Sequence, residues 1–351
     1  MTGIGERLKL ARRMARLSQQ ALADRTGVSK MAISKYEHNQ MMPGSEVMLR
    51  LAEALGVRME FLLRSASELE IKPVYRAHSR MNKTEEAAVV AQVQEWLERY
   101  LAIEALFPPD ERLFFKFPPE FPYPVERLED AEQAAEKLRR IWQAGTDTID
   151  SLAELLEAQG IKIGLVDGDV HFDACTFWVN DQSPVIAIKR GLSGDRQRFS
   201  LAHELGHIML DVSQEADDEK AAHRFAAAFL VPASAAVLEI GHSRRSLDPQ
   251  ELLLLKKKYG MSMAAWVYRA KDLGILNEND AQRHWQQFSA RGWRKQEPGE
   301  PLAGEQPQRM YRLVRRLLAE DVISRSRAKE LLGERIELFT EKEQAVLEMR
   351  Y

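Results

Sequence analysis

The sequence predicts a mainly α-helical protein with one small antiparallel sheet, an α+β fold that is divided into several domains. Apolar residues recur at helical spacing through most of the 351 positions, whereas β-type alternation is confined to residues 161–190. With 45% apolar and 29% charged residues, a chain of this length can bury more than one core. We expect four segments, covering residues 1–66, 67–144, 145–290 and 291–351.

Charge is distributed unevenly along the chain. The formal net charge is −3, which disfavours a general nucleic-acid coat protein. Residues 1–64 nevertheless hold 11 Lys and Arg against 6 Asp and Glu, so the remainder is acidic. This asymmetry indicates a basic amino-terminal module that contacts phosphate locally.

The start of the chain has no signal-like apolar segment, and no run of about 18 uncharged apolar residues occurs that could span a membrane. We therefore expect a cytoplasmic protein without a membrane partner. The one cysteine, Cys175, cannot form an internal disulfide. We interpret Cys175 as a filler residue near a strand, with a redox role as the alternative.

The first 64 residues are typical of five short helices separated by turn residues. Ser18 and Ser29 are suited to cap the second and third helices, and Gly27 supplies the break between these helices. The helix after Ser29 would bury Ile33 and expose small polar and basic side chains. Two short helices joined at a glycine in this way are what a helix-turn-helix DNA reader requires.

Residues 17–57 of this module resemble the XRE family of phage-repressor-like DNA-binding domains. The resemblance implies that Gln19 contacts a backbone phosphate and that the third helix presents four residues to the major groove, namely Lys30, Met31, Ser34 and Lys35. Because one helix makes few base contacts, we expect a homodimer that binds a palindromic operator. A five-helix adaptor that binds protein is the alternative.

The middle of the chain predicts a connector at residues 65–83, followed by a helix capped at Thr84. After this helix, six prolines and six Phe or Tyr residues occupy the 18 positions from Phe107 to Pro124. The prolines exclude helix there. The many aromatic rings predict that this segment packs along a groove of the body. The alternative is a removable plug that lies across an active cleft.

A candidate metal site lies in residues 198–210, RFSLAHELGHIML. His203 and His207 are at positions i and i+4, so both imidazoles lie on one helix face, where they can ligate one zinc ion. Glu204 lies beside them and can take a proton from water that the metal has activated. This combination is typical of a metallopeptidase.

A third ligand would strengthen this interpretation, since His-Glu-x-x-His is short enough to arise by chance. The stretch EKAAHRFAAAFLVP predicts a second helix with Ala222 and Phe225 on its apolar face and Glu219 one turn before them. A carboxylate from this helix would complete a site of two His and one Glu. The fourth position would then stay open for water, as in catalytic zinc sites.

Residues 145–275 resemble the ImmA/IrrE family of metallopeptidases, in the motifs IKIGLVDG, PVIAIKR, RQRFSLAHELGHIML and EKAAHRFAAAFLVP. The resemblance implies a zincin-like domain with one zinc ion per chain, and it assigns the third ligand to Glu219. The family has asparagine where this chain has His223. His223 is therefore a hydrogen-bond partner of a ligand, a substitute ligand, or a group that blocks the open position. We favour the first of these.

Several residues outside the motif have simpler interpretations. We expect Arg198 to form a salt bridge, with substrate orientation as the alternative, and we expect His171, His242 and His284 at the surface. Residues 251–276 predict two helices that meet at Gly260, with Ser262 as a cap. A linker and a terminal helical pair would complete the carboxy-terminal extension.

The two resemblances together predict a DNA-binding transcriptional regulator with a zinc-dependent endopeptidase domain, in which Glu204 is the general base. Regulators of this combined type, in mobile-element, stress-response and toxin–antitoxin contexts, couple repression to proteolysis. The substrate would be a repressor, a partner toxin or this chain itself. The alternatives are a repressor whose metal domain is a non-catalytic sensor or scaffold, and an antitoxin whose body masks a toxin.

Overall fold

The computed structural model describes residues 3–65, 69–73 and 81–332. The connector expected at residues 65–83 and the extension expected to reach residue 351 lie partly outside the described residues. Within those ranges the chain is mainly helical, with a sheet of four strands and a second sheet of two. The predicted α+β class is confirmed.

The amino-terminal module contains the five predicted helices, and apolar residues from all five form one core. The helices are α1 (Ile4–Met14), α2 (Gln19–Thr26), α3 (Lys30–Glu37), α4 (Ser45–Leu55) and α5 (Met59–Leu63). The side chains of Ser18 and Ser29 accept hydrogen bonds from backbone N–H groups in the first turns of α2 and α3. Gly27 ends α2 in the left-handed region, with φ of 69°, where a side chain would be strained.

A short strand, β1 (Ile71–Pro73), and a long helix, α6 (Lys83–Glu104), join this module to the body. The cap of α6 is Asn82 and not Thr84, because the Asn82 side chain accepts from the N–H groups of residues 84 and 85. On α1, Arg7 forms a buried ion pair with Glu98 of α6. Arg7 also donates to the carbonyl groups of Arg64 and Ser65. These contacts hold α1 against α6.

The proline- and aromatic-rich segment is not helical except for a single 3₁₀ turn at Pro109–Glu111. Its strand β2 (Tyr123–Val125) pairs in parallel with β6 (Leu210–Val212). The side chains of Phe107, Phe115 and Phe121 are buried. The predicted packing of the segment along the body is therefore confirmed.

The body of the protein is built on a four-stranded sheet in the order β1-β4-β5-β3. Its other strands are β3 (Lys162–Val166), β4 (Ala174–Val179) and β5 (Ser183–Lys189). The expectation of an antiparallel sheet is wrong in one respect, since β3 pairs with β5 in parallel. The β4–β5 hairpin is antiparallel, but β3 lies beyond β5 instead of beside β4. Alternation along single strands carries no information on that order.

Helices cover both faces of the sheet. Val89, Val93 and Leu97 of α6 pack on one face with Phe177 and Val185. The other face packs against the central helix α9 (Gly194–Met209). Four more helices contribute to the same core, namely α7 (Leu128–Ile141), α8 (Leu152–Ala158), α10 (Asp218–Leu230) and α11 (Ala233–Ile240). The largest core of the molecule therefore lies between the sheet and these helices.

The carboxy-terminal extension contains α12 (Pro249–Tyr259), α13 (Met263–Asp272), α14 (Glu278–Ala290), α15 (Arg309–Ala319) and α16 (Arg325–Leu332). The break at Gly260 and the cap at Ser262 are as predicted. The last two helices pack on α6 and Phe107. Among the described residues, no single helix is long and apolar enough to cross a membrane. By length and composition only, the bent pair α10 and α11 passes that test.

The segment between α14 and α15 is held to the body by two carboxylates at helix N-termini, where unpaired backbone N–H groups favour negative charge. Glu297 accepts from the backbone of Met263 and Ala264 at the start of α13, at 3.0 and 2.9 Å. Glu305 accepts from the N–H of Ala153 at the start of α8, at 2.7 Å. Glu305 also pairs with Arg198, which confirms the expected salt bridge of that arginine.

Candidate metal centre

Two packed helices, α9 and α10, bring the predicted metal ligands together. His203 and His207 lie one turn apart on α9, and Glu219 lies in the first turn of α10. The two helices approach closely at Gly206, where an added Cβ would lie 3.2 Å from Cα of Ala222. This close packing places the first turn of α10 beside the two histidines.

The three predicted ligands converge on a space the size of a metal ion. The Nε2 atoms of His203 and His207 are 3.1 Å apart, and Glu219 oxygens lie 3.4 and 3.6 Å from the Nε2 atoms of His203 and His207 respectively. Ligands at about 2.0–2.2 Å from a tetrahedral zinc ion are about 3.3–3.6 Å apart. The spacing and the donor set of two imidazoles and one carboxylate therefore fit zinc.

Electrostatics within the cluster favour a charged Glu219. The hydrogen bond with His203 is the main influence on the pKa of Glu219 and lowers it, against the opposing effect of burial. A carboxylate that stays ionised can act as a metal ligand without first losing a proton.

The Nδ1 nitrogen of His207, which faces away from Glu219, has a partner that the sequence did not predict. Nδ1 of His207 lies 3.3 Å from a carboxylate oxygen of Asp218, the residue before Glu219. Metal-binding histidines commonly donate their second N–H to such a carboxylate, which fixes the orientation of the ring. The sequence shows that the first turn of α10 is acidic. It does not show which of these acidic residues faces His207.

His223 lies one turn after Glu219 on α10 and contacts His203, the other histidine predicted to bind the metal. Its Nδ1 is 2.9 Å from Nδ1 of His203, whose Nε2 faces Glu219 and His207. Burial is the main cause that lowers the pKa of His223 to about 4, and nearby His203 contributes. His223 lies on the side of the His203 ring away from the three converging atoms.

Glu204 is buried beside the cluster and is held by the neighbouring strand. Oγ1 of Thr176, on β4, donates a hydrogen bond of 2.7 Å to Oε2 of Glu204. Thr176 is 1% exposed, so this hydrogen bond is shielded from water. No local sequence pattern marks Thr176, because its proximity to Glu204 depends on how α9 packs on the sheet. The neighbouring Cys175 is a half-buried thiol, and desolvation is the main cause that raises its pKa to about 12.

The cluster opens into a cavity of about 1350 Å³, which we call the cleft. The cleft is lined by the metal-binding face of α9 and α10, by one end of β4, and by parts of the carboxy-terminal extension. None of the described residues that line it belongs to residues 107–124. The plug alternative for that segment is therefore wrong. The segment instead packs against Trp178 and beside Gly160.

The remaining histidines differ in their surroundings. His171 and His242 are exposed, as expected. His284 is buried, and its Nε2 accepts a hydrogen bond of 3.1 Å from the N–H of Leu247. The expectation of a surface position for His284 was wrong, because α14 turns this face toward the chain that precedes α12.

The predicted DNA-contacting residues differ in their accessibility to solvent. Lys30, Met31 and Lys35 of α3 are exposed, Ser34 is half-buried, and Ile33 is fully buried. Gln19 donates a hydrogen bond of 2.8 Å to the buried carboxylate of Glu37, which also forms an ion pair with Arg12. The start of α2 is thereby tied to the end of α3.

Comparison with known proteins identifies the two parts of the chain. Residues 5–68 match the family model of a helix-turn-helix domain, and residues 157–271 match that of the IrrE N-terminal-like domain of the M78 peptidases. The chain therefore contains one segment similar to helix-turn-helix domains and a second segment similar to the M78 peptidase domain.

Three curated relatives are similar to this chain over 60–66 residues, which is between 28% and 57% of their own lengths. Repressor protein C2 of Salmonella phage P22 is 36% identical over 61 residues, 17% of this chain and 28% of the repressor. The SPbeta prophage-derived HTH-type transcriptional regulator YonR of Bacillus subtilis (strain 168) is 38% identical over 60 residues, 17% of this chain and 56% of YonR. The HTH-type transcriptional regulator YqaE of the same strain is 29% identical over 66 residues, 19% of this chain and 57% of YqaE.

Proposed function

We propose that this protein is a cytoplasmic transcriptional regulator whose M78-like domain is a zinc-dependent endopeptidase, so that operator binding is coupled to proteolysis. The observation that carries this proposal is the convergence of three ligand atoms from His203, His207 and Glu219 beside the buried carboxylate of Glu204. The substrate is another regulator, a partner such as a toxin, or this chain.

One zinc ion per chain would be held by His203, His207 and Glu219. When bound, zinc supplies Lewis-acid polarisation of a peptide carbonyl and lowers the pKa of water in the site toward about 7. Glu204 accepts a proton from the attacking water and then delivers it to the leaving amine nitrogen. Since Oε2 of Glu204 accepts the hydrogen bond from Thr176, we assign the proton transfer to Oε1.

The residues around the ligands support a site that is built for metal. Asp218 lies beside Nδ1 of His207, and His223 lies beside Nδ1 of His203. In these positions they orient the two imidazoles so that both Nε2 atoms face Glu219. We therefore assign His223 the role of a hydrogen-bond partner of His203, not that of a substitute ligand or a blocking group.

The first domain would read operator DNA through α3. Exposed Lys30, Met31 and Lys35, with Ser34 beside them, reach base edges and phosphates in the major groove, while Gln19 contacts a phosphate. One such helix makes too few base contacts to specify a site. We therefore propose a homodimer on a palindromic operator.

The test compares wild-type protein with Glu204→Gln, each loaded with one equivalent of zinc and incubated with lysate of the source cells. Glu136→Gln, which removes an exposed charge from α7, is the matched control. Intact-mass analysis and peptide mapping would show a defined cleavage with wild type and Glu136→Gln but not with Glu204→Gln, while all three retain zinc. Identical maps for all three proteins would refute the peptidase and favour a non-catalytic sensor.

A further inference from the structure

One wall of the cleft is formed by aromatic rings. Tyr268 on α13, Trp285 on α14 and Trp293 just after α14 all line the cavity that contains His203 and Glu204. The ring centroids of Tyr268 and Trp285 are 4.3 Å apart. We call these three residues, Tyr268, Trp285 and Trp293, the aromatic wall.

The aromatic wall is rigidly supported from behind. Phe288 is fully buried, and its ring centroid lies 6.0 Å from that of Trp285 and 5.6 Å from that of Trp293. Tyr268, by contrast, is 55% exposed. A ring needed only for the core would be buried as Phe288 is. Trp285 and Trp293 are half-buried. An exposed tyrosine that packs on partly accessible tryptophans is typical of a surface that binds a partner.

Two positive charges adjoin the aromatic wall. Arg294 lies with its guanidinium carbon 5.8 Å from the centroid of the Trp285 ring, and Lys295 follows it. Both side chains are exposed and line the cleft. In the described part of the chain neither forms an ion pair, whereas Arg196 and Lys256 of the same cleft are paired with carboxylates. The wall therefore offers apolar contact next to uncompensated positive charge.

We propose that the aromatic wall is a specificity subsite for extended peptides that carry a large aromatic side chain next to an acidic residue. The aromatic side chain packs on Tyr268 and Trp285, and the acidic residue pairs with Arg294 or Lys295. This inference rests on the proposed peptidase function, because the subsite selects the peptide that reaches Glu204. A cleft of about 1350 Å³ also exceeds the roughly 300–1,000 Å³ of small-molecule pockets, so it has room for several residues of a peptide.

Binding can be tested without turnover, with the full-length Glu204→Gln protein loaded with zinc. The probes are short fluorescein-labelled peptides of one host sequence, with Phe or Ala at the central position and Glu or Lys beside it. Fluorescence anisotropy should show the Phe-Glu peptide bound about 10- to 100-fold more tightly than the Ala-Glu peptide, which is the range for burial of one aromatic side chain.

Three further variants of that protein separate the subsite from non-specific hydrophobic binding. Tyr268→Ala should remove most of the preference for Phe and leave the Ala peptide unaffected. Phe114→Ala is the matched control, because Phe114 is also exposed, at 60%, but does not line the cleft. Combined Arg294→Glu and Lys295→Glu changes should reverse the preference from Glu to Lys. Equal binding of the Phe and Ala peptides, or a Tyr268→Ala protein that keeps the preference, would overturn the proposal.

These results are independent of the test of peptidase activity. Selective binding together with no cleavage in the mapping experiment would refute the peptidase and retain the subsite. Cleavage at sites without a nearby aromatic residue would refute the subsite and retain the peptidase.

Discussion

Asp218 offers a direct test of the metal centre, because it contacts a ligand histidine without belonging to the three predicted ligands. Its carboxylate oxygen lies 3.3 Å from Nδ1 of His207. Asp218→Asn removes the negative charge and keeps an oxygen that can accept a hydrogen bond. Loss of such partners commonly weakens metal affinity about 10- to 100-fold. Since the acceptor remains, we expect about 10-fold, or about 1.4 kcal/mol of zinc-binding free energy.

The assay is competition for zinc against a chromophoric chelator, and it needs no knowledge of the substrate. The neighbouring residue provides a matched control. Asp217 is the exposed N-cap residue of α10 and carries the same charge as Asp218. Because Asn caps a helix as well as Asp does, Asp217→Asn should not disturb the helix. Asp217→Asn should therefore change zinc affinity much less than Asp218→Asn. Equal loss of affinity in the two variants would show that only local charge matters and would refute the orienting role of Asp218.

Three further outcomes are expected. Thr176→Val leaves an oxygen of buried Glu204 without its donor, so urea denaturation should show a free energy of unfolding lower by about 1–3 kcal/mol, with zinc content unchanged. Glu132→Gln leaves fully buried Arg269 without its ion pair and should lower the free energy of unfolding at neutral pH by about 3–5 kcal/mol. Lys30→Ala should weaken operator binding and, if Lys30 contacts phosphate, reduce the slope of log affinity against log salt by about 0.9.

The Glu132 variant also predicts a change in the dependence of stability on pH. Burial raises the pKa of Glu132, but its hydrogen bonds and ion pairs with Arg269 and Arg224 outweigh burial, and the net pKa lies below the usual 4.5. The stabilisation is thus fully present above about pH 4.5 and is lost as the pH falls through the lower folded-state pKa. Acid titration of the unfolding free energy should have a shallower slope in Glu132→Gln than in wild type. Parallel curves of unfolding free energy against pH for the two proteins would contradict this assignment.

For the other two variants, unchanged stability of Thr176→Val or an unchanged salt slope of Lys30→Ala would count against the stated contacts.

Local sequence determined the helices of the first domain and the arrangement within each element of the site. Caps such as Ser18 and Ser29 and the left-handed Gly27 act within a few residues, so their effects can be predicted from neighbours in the chain. The same holds for His203 and His207, because the helical period alone places both on one face of α9. Glu219 needed more than periodicity, and its selection depended on the resemblance to a known family.

Only the tertiary structure decided which elements meet. The parallel pairing of β3 with β5, the contact of Thr176 with Glu204, and the position of His284 each join residues that are far apart in the chain. His223 and Asp218 lie beside the Nδ1 atoms of His203 and His207. These positions likewise depend on the close packing of α10 against α9 at Gly206. Side-chain periodicity determines which face of an element is buried. The partner of that face is selected by packing across the whole core, which no local pattern encodes.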